Sequence, residues 1–149
     1  MRILIAGGPK TGKTTLAEKL REELGLKEPD IFCGHDEELV GKMDWSAQSA
    51  EVATWFDTPD PWIIEGVSVG RALRKWLKAH PEGKPADRVI YLKKPVVKIE
   101  KAQETMAKGC WTVWSEIYPE ILRRGIQVEY LDPDMEPGMA CRDDAGGKP

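Results

Sequence analysis

The sequence predicts an α/β domain built on a parallel sheet, and three observations predict it. Short apolar runs alternate with stretches of helical spacing along the 149 residues. The first run, Ile3-Leu4-Ile5-Ala6, opens directly into Gly7-Gly8-Pro9-Lys10-Thr11-Gly12-Lys13-Thr14-Thr15, a full G-x-x-x-x-G-K-[ST] spacing. Later runs end in carboxylates, Asp36, Glu65 and Asp132, at the edge where an open parallel sheet binds its ligands.

The glycine-rich turn has a physical reason at each position. Gly7 and Gly12 permit backbone angles and close approach that a Cβ forbids, so successive amide hydrogens face inward. The helix that follows aims its unpaired N–H groups and positive dipole end at the same spot, which makes a site for a di- or triphosphate. Gly8, Pro9, Lys10, Thr11, Gly12, Lys13, Thr14 and Thr15 are the expected phosphate-binding residues. Lys13 adds a full charge for the β- and γ-phosphates, and the Thr14 hydroxyl is placed for Mg²⁺. The alternative is a glycine-rich strand-to-helix turn with a chance lysine.

The elements follow in order. Leu16, Ala17, Leu20 and Leu24 recur at helical spacing opposite a charged face, and Gly25 is the expected stop. Ile31-Phe32-Cys33 reads as a second strand, with Gly34-His35-Asp36 a polar turn after it. Residues 44–56 are helix-like, and Thr58-Pro59-Asp60-Pro61 breaks them. Trp62-Ile63-Ile64 is the third strand, ending in Glu65-Gly66, and a helix is expected from Val69 to Ala79. Residues 88–92 form the fourth strand. Residues 96–124 read as helical, with Gly109 and Pro119 expected to divide them. Residues 126–131 form the fifth strand. From Pro133 onward no period survives, so 133–149 is expected to be a mobile tail behind a domain of residues 1–132.

Composition bounds the function. A net charge of −3 argues against a surface devoted to nucleic-acid backbones. Cys33, Cys110 and Cys141 are odd in number and lack C-x-x-C spacing, so neither a disulfide framework nor a zinc site is expected, and a cytoplasmic setting fits. The core strand begins within two residues of Met1 and no apolar run approaches spanning length, so neither a signal peptide nor a membrane segment is expected.

Taken together, the loop Gly7 to Thr15, Asp36 after the second strand, Ile63-Ile64-Glu65-Gly66 and the strand spacing resemble the phosphate-loop kinases of nucleosides, nucleotides and other small metabolites. The adenylate-kinase-like and uridine-kinase-like groups are the nearest analogues, over roughly residues 2–132. The resemblance implies the phosphate-loop NTPase fold, with a five-stranded parallel sheet of order 2-3-1-4-5 and helices on both faces. It also implies ATP and Mg²⁺ as cofactors. That order places the third strand beside the first, so Glu65 is preferred over Asp132 as the acid acting on Mg²⁺. The competing reading has Glu65 capping the next helix or pairing with Arg71. Asp36 matches the acid that related kinases use to hold or deprotonate the acceptor hydroxyl, and otherwise is a solvated turn residue. Such a carboxylate contributes about 10²–10⁴ in rate. Asp132-Pro133 falls where such kinases flank the base of ATP, or is simply a turn.

Lys13, Asp36 and Arg71 are the candidate catalytic residues, and Thr14 and Glu65 the candidate metal-side residues. Arg71 and Arg74 either clamp an anionic group or line the wet face of a helix. The segment after the fourth strand departs from the family. It carries Lys93, Lys94, Lys98, Lys101 and Lys108 where arginines are usual, and lysine cannot make the bidentate fork. Trp111, Trp114 and Tyr118 are expected in the core, whereas Trp45 or Trp55 has the position to stack on a ring-shaped substrate. The expected function is transfer of the γ-phosphoryl group of ATP to a small acceptor: a nucleoside, a nucleotide or a nucleic-acid 5′ end. A nucleotide switch or hydrolase and a catalytically weak ATP-binding module are the alternatives. Against a GTPase, no [NT]-K-x-D motif is present and D-x-x-G spacing occurs only near the C-terminus, as at Asp143 to Gly146.

Overall fold

The computed structural model describes residues 1–131; Asp132 and the expected tail lie outside the described residues. The strands are β1 (Arg2–Gly7), β2 (Phe32–His35), β3 (Trp62–Glu65), β4 (Arg88–Leu92) and β5 (Gln127–Leu131). They form one parallel sheet in the order β2-β3-β1-β4-β5, as the resemblance implied. The helices are α1 (Lys13–Leu24), α2 (Trp45–Trp55), α3 (Val69–Ala79) and α4 (Lys101–Arg123), with a 3₁₀ turn at Asp36–Leu39.

Because β-strand side chains alternate between faces, β1 feeds two cores. Ile3 and Ile5 join Leu16, Ala17 and Leu20 of α1 on one face, while Leu4 and Ala6 join residues of α2, α3 and α4 on the other. The central strands β1 and β3 are buried on both faces, which is why they read as continuous apolar runs. Leu24, expected on the buried stripe of α1, is 40% exposed because the helix ends there; Gly25 closes it in the left-handed conformation, its N–H reaching Glu22 O. No helix among the described residues is long and apolar enough to cross a membrane.

Two expectations are corrected. The second strand runs on through Gly34 and His35, since parallel pairing with Ile64 and Glu65 supplies the backbone partners that a polar tripeptide lacks by itself. Residues 96–124 are not two helices. The single helix α4 begins at Lys101 and contains both Gly109 and Pro119. Burying Trp114, Ile117 and Ile121 holds it together, and Pro119 sits on its exposed side, where water can take the carbonyl that the missing N–H abandons.

Candidate functional site

Register builds the site. Ile5 and His35 are both Cα partners of Glu65, so the ends of β1, β2 and β3 converge on one edge of the sheet. The loop from β1 to α1 wraps above that edge, with positive φ at Gly7, Gly12 and, unusually for a residue with a side chain, Lys10. Thr11 Oγ1 donates to Gly8 O at 3.1 Å. Lys13 Nζ donates to Gly8 O at 2.5 Å and approaches Thr11 Oγ1 at 3.3 Å, so its ammonium is folded across the turn. Burial lowers the Lys13 pKa, and the nearby charges of Glu65 and Asp36 work against that shift.

Glu65 and Asp36, both 3% exposed, stand below the loop. Glu65 Oε2 accepts from Thr14 Oγ1 at 2.9 Å and lies 2.7 Å from His35 Nδ1. It neither caps α3, whose N-cap is Ser68, nor forms an ion pair with Arg71. Asp36 Oδ2 accepts from Ser68 N at 2.7 Å. Burial pushes the Asp36 carboxyl above the ordinary carboxylate range, against the opposing hydrogen bonds from Ser68. Gln48, also buried, donates from Nε2 to Ser68 Oγ at 2.7 Å, tying α2 into the same turn.

A cleft of about 330 Å³ opens between these groups. The run Pro9 to Thr15, Asp36, Glu37 and Glu65 line it together with Val40, Val67 and Gln103. The fold thus brings the expected Pro9 to Thr15, Asp36 and Glu65 to one place, beside Glu37, Val40, Val67, Gln103 and the supporting His35, Ser68 and Gln48, which the sequence alone does not assign to the site. Gln103 had a local signal, since its side chain completes the capping box of α4 with Glu100. Gly8 lies to one side, beneath α4; a Cβ on it would come 2.8 Å from Ala107 Cβ. Val96 N donates to Lys10 O at 2.8 Å, so the segment before α4 rests on the phosphate loop as well.

Arg71 does not line the cleft. It is half-buried at the start of α3, its Nη2 3.2 Å from where a Cβ on Gly109 would stand, with Cys110 as its hydrogen-bonding neighbour. Cys110 in turn contacts Val67 O at 3.6 Å. Arg74 pairs with Glu116 at 3.3 Å on the surface. The five lysines at 93–108 are exposed and none lines the cleft; Lys93 sits 4.4 Å from the centroid of the Trp111 ring. Trp114 is fully buried and donates to Tyr130 OH at 2.9 Å. Trp55 packs edge-on against Phe32, while Trp45 is half exposed at the start of α2.

The donor set, a hydroxyl and a carboxylate, fits a hard divalent cation. Thr14 and Glu65 offer oxygen at the lip of the cleft, and no cluster of three or more His, Cys, Asp or Glu able to hold a metal occurs among the described residues. A hydroxyl and a carboxylate suit Mg²⁺, which keeps several waters and binds through one or two carboxylates plus phosphates.

No protein-family model matches the sequence, and no curated protein does. Solved structures do. Shikimate kinase from Acinetobacter baumannii in complex with shikimate is similar at a TM-score of 0.52 and 13% identity, over 91% of this chain and 84% of that one. Deoxyadenosine kinase from M. mycoides with bound dATP is similar at a TM-score of 0.50 and 15% identity, over 91% of this chain and 93% of that one. With the strand order and the phosphate loop already in hand, these likenesses show that the chain has the fold of the phosphate-loop small-molecule kinases.

Proposed function

We propose that the protein is an ATP- and Mg²⁺-dependent phosphotransferase acting on a small hydroxyl- or phosphate-bearing acceptor, with nucleosides and nucleotides the favoured class. One observation carries the reading: Lys13, Thr14, Asp36 and Glu65 meet around a single cleft of about 330 Å³ beneath a complete phosphate loop. The two solved neighbours are a shikimate kinase in complex with shikimate and a deoxyadenosine kinase with bound dATP, kinases named for small molecules, which agrees with a small acceptor. Nothing in the cleft favours a nucleic-acid 5′ end.

In this reading the loop amides and Lys13 hold the β- and γ-phosphates, and Thr14 and Glu65 hold Mg²⁺ directly or through water. The bound ion neutralises charge on the phosphates. Phosphoryl transfer has a loose transition state, so positioning and charge do most of the work. The acceptor oxygen forms a bond to the γ-phosphorus as the bond to the β-bridging oxygen breaks, and the acceptor's proton passes to Asp36. A carboxylate whose pKa burial has raised is suited to receive it. Arg71, behind Cys110 and Val67, is the candidate for the anionic end of the acceptor or the transferring group.

A second reading, an ATP-binding module with weak transfer, has one observation in its favour: the exposed lysines at 93–108 stay outside the cleft. Labelled ATP with a panel of nucleosides, nucleotides and polyhydroxy acids separates the readings. Transfer to an acceptor, abolished by Lys13→Ala, supports the phosphotransferase. Acceptor-independent hydrolysis points to a switch or hydrolase, and Mg-ATP binding without turnover to the weak module.

A further inference from the structure

We infer that His35 is a positioning residue for the metal-side carboxylate, a role that rests on the phosphotransferase reading. His35 ends β2 directly opposite Glu65 in the parallel register, and its Nδ1 lies 2.7 Å from Glu65 Oε2. The Thr14 hydroxyl reaches that same oxygen at 2.9 Å. An ionised carboxylate only accepts, so both neighbours donate, which places the His35 proton on Nδ1. Oε2 is thereby fixed by two donors from different elements, one on α1 and one on β2. Glu65 Oε1 has no protein hydrogen bond among the described residues, so it is the oxygen left for a hydrated cation.

Removing one donor leaves a buried carboxylate held from one side only. Thr14 is itself a candidate for the cation, since its hydroxyl can offer a lone pair to a metal while its O–H still donates to Glu65 Oε2. His35 is the second anchor, and the one that is not itself a candidate for the cation, keeping the carboxylate facing the loop. Its ring is not core filler: a quarter of the side chain is exposed, and it lines a separate cleft of about 320 Å³ with Cys33, Arg21 and Glu28. Outer partners of this kind orient the group that meets the metal, and their loss costs about 10–100-fold in metal affinity.

The test measures Mn²⁺ affinity of the ADP-bound protein by electron paramagnetic resonance, beside ADP affinity in excess chelator. His35→Ala is expected to weaken Mn²⁺ binding about 10–100-fold and to leave metal-free ADP affinity unchanged. His35→Asn, whose amide N–H can stand where Nδ1–H stood, is expected to recover most of the loss. Should His35→Ala fail to fold, His35→Phe keeps a ring there without the donor and replaces it. Mn²⁺ affinity equal to wild type in the donor-free variant overturns the inference, as does a folded His35→Asn no better than the donor-free variant. A wild-type protein that binds no ADP sinks the phosphotransferase reading with it, whereas tight wild-type binding indifferent to His35 sinks this inference alone.

Discussion

Asp36 occupies the space that a side chain at residue 66 would need: its carboxyl carbon lies 1.9 Å from the position of a Cβ on Gly66. The turn from β3 into α3 therefore has room for a buried carboxylate only because residue 66 has no side chain. Gly66 also has φ +152, which residues with a Cβ rarely adopt. Gly66→Ala is expected to destabilise the fold by at least about 1–3 kcal/mol from backbone strain alone. It is also expected to expel Asp36 from the Ser68 N–H. Urea denaturation together with a phosphoryl-transfer assay checks both, and a variant of wild-type stability and activity would refute the packing argument.

Asp36 is held by the fold less readily as a carboxylate than as the protonated acid. Its folded pKa is raised, chiefly by burial, above an ordinary value of 3.8. Its favourable contribution is therefore complete below that value and is lost as pH rises through the folded pKa. Asn cannot ionise, and its carbonyl can still accept from Ser68 N. Asp36→Asn is accordingly expected to be more stable than wild type at neutral pH, with the gap closing as the pH falls toward the unfolded value. ADP binding is expected to survive while transfer is lost. Denaturant melts across that pH range measure the first effect and turnover the second. An Asn variant less stable at neutral pH, or fully active, contradicts this account.

Helix α4 should feel any change in the phosphate loop. A Cβ on Gly8 would meet Ala107 Cβ at 2.8 Å and Ala107 Cα at 3.0 Å, and overpacking of this kind costs about 1–3 kcal/mol. Gly8→Ala is expected to lower the melting temperature and weaken ADP binding together. Ala107→Gly removes the closer of the two contacts, so the double variant is expected to be better than the sum of the single ones. Such non-additivity is what touching residues show; strictly additive melts would mean that the helix and the loop do not share this contact.

The same contacts explain how far the chain could be read before it was folded. β1, β3, β4 and α3 were legible because burial on both faces, or a single apolar stripe, leaves a strong pattern in the sequence. Glu65 stood out as an acid ending an apolar run. His35 did not, because its partner lies 30 positions away and is met only through the register of β2 against β3. The continuity of α4 was hidden for a related reason. Gly109 and Pro119 are local breakers, and the burial of Trp114, Ile117 and Ile121 that outweighs them comes from tertiary packing. Arg71 and Arg74 read alike as helix residues, and the fold separates them, one behind the cleft and one on the surface.

That separation gives the last prediction. Arg74 pairs at 3.3 Å with Glu116, which is more than half exposed, and an ion pair of this kind is worth about 0–1 kcal/mol. Arg71 forms no ion pair among the described residues although it is half-buried. In the proposed reading Arg71 would meet a transferring phosphoryl group or an anionic acceptor, which requires its side chain to leave Cys110 and reach the cleft it does not line here. Arg71→Ala is expected to lower kcat by roughly 10³-fold, the lower end of what an arginine at such a centre supplies, with ADP affinity little changed. Arg71→Lys should recover little, since an ammonium lacks the planar fork. Arg74→Ala should leave kcat and KM near wild type. Steady-state kinetics on the three variants decide the matter: equal effects of Arg71→Ala and Arg74→Ala would return Arg71 to the role of a surface charge.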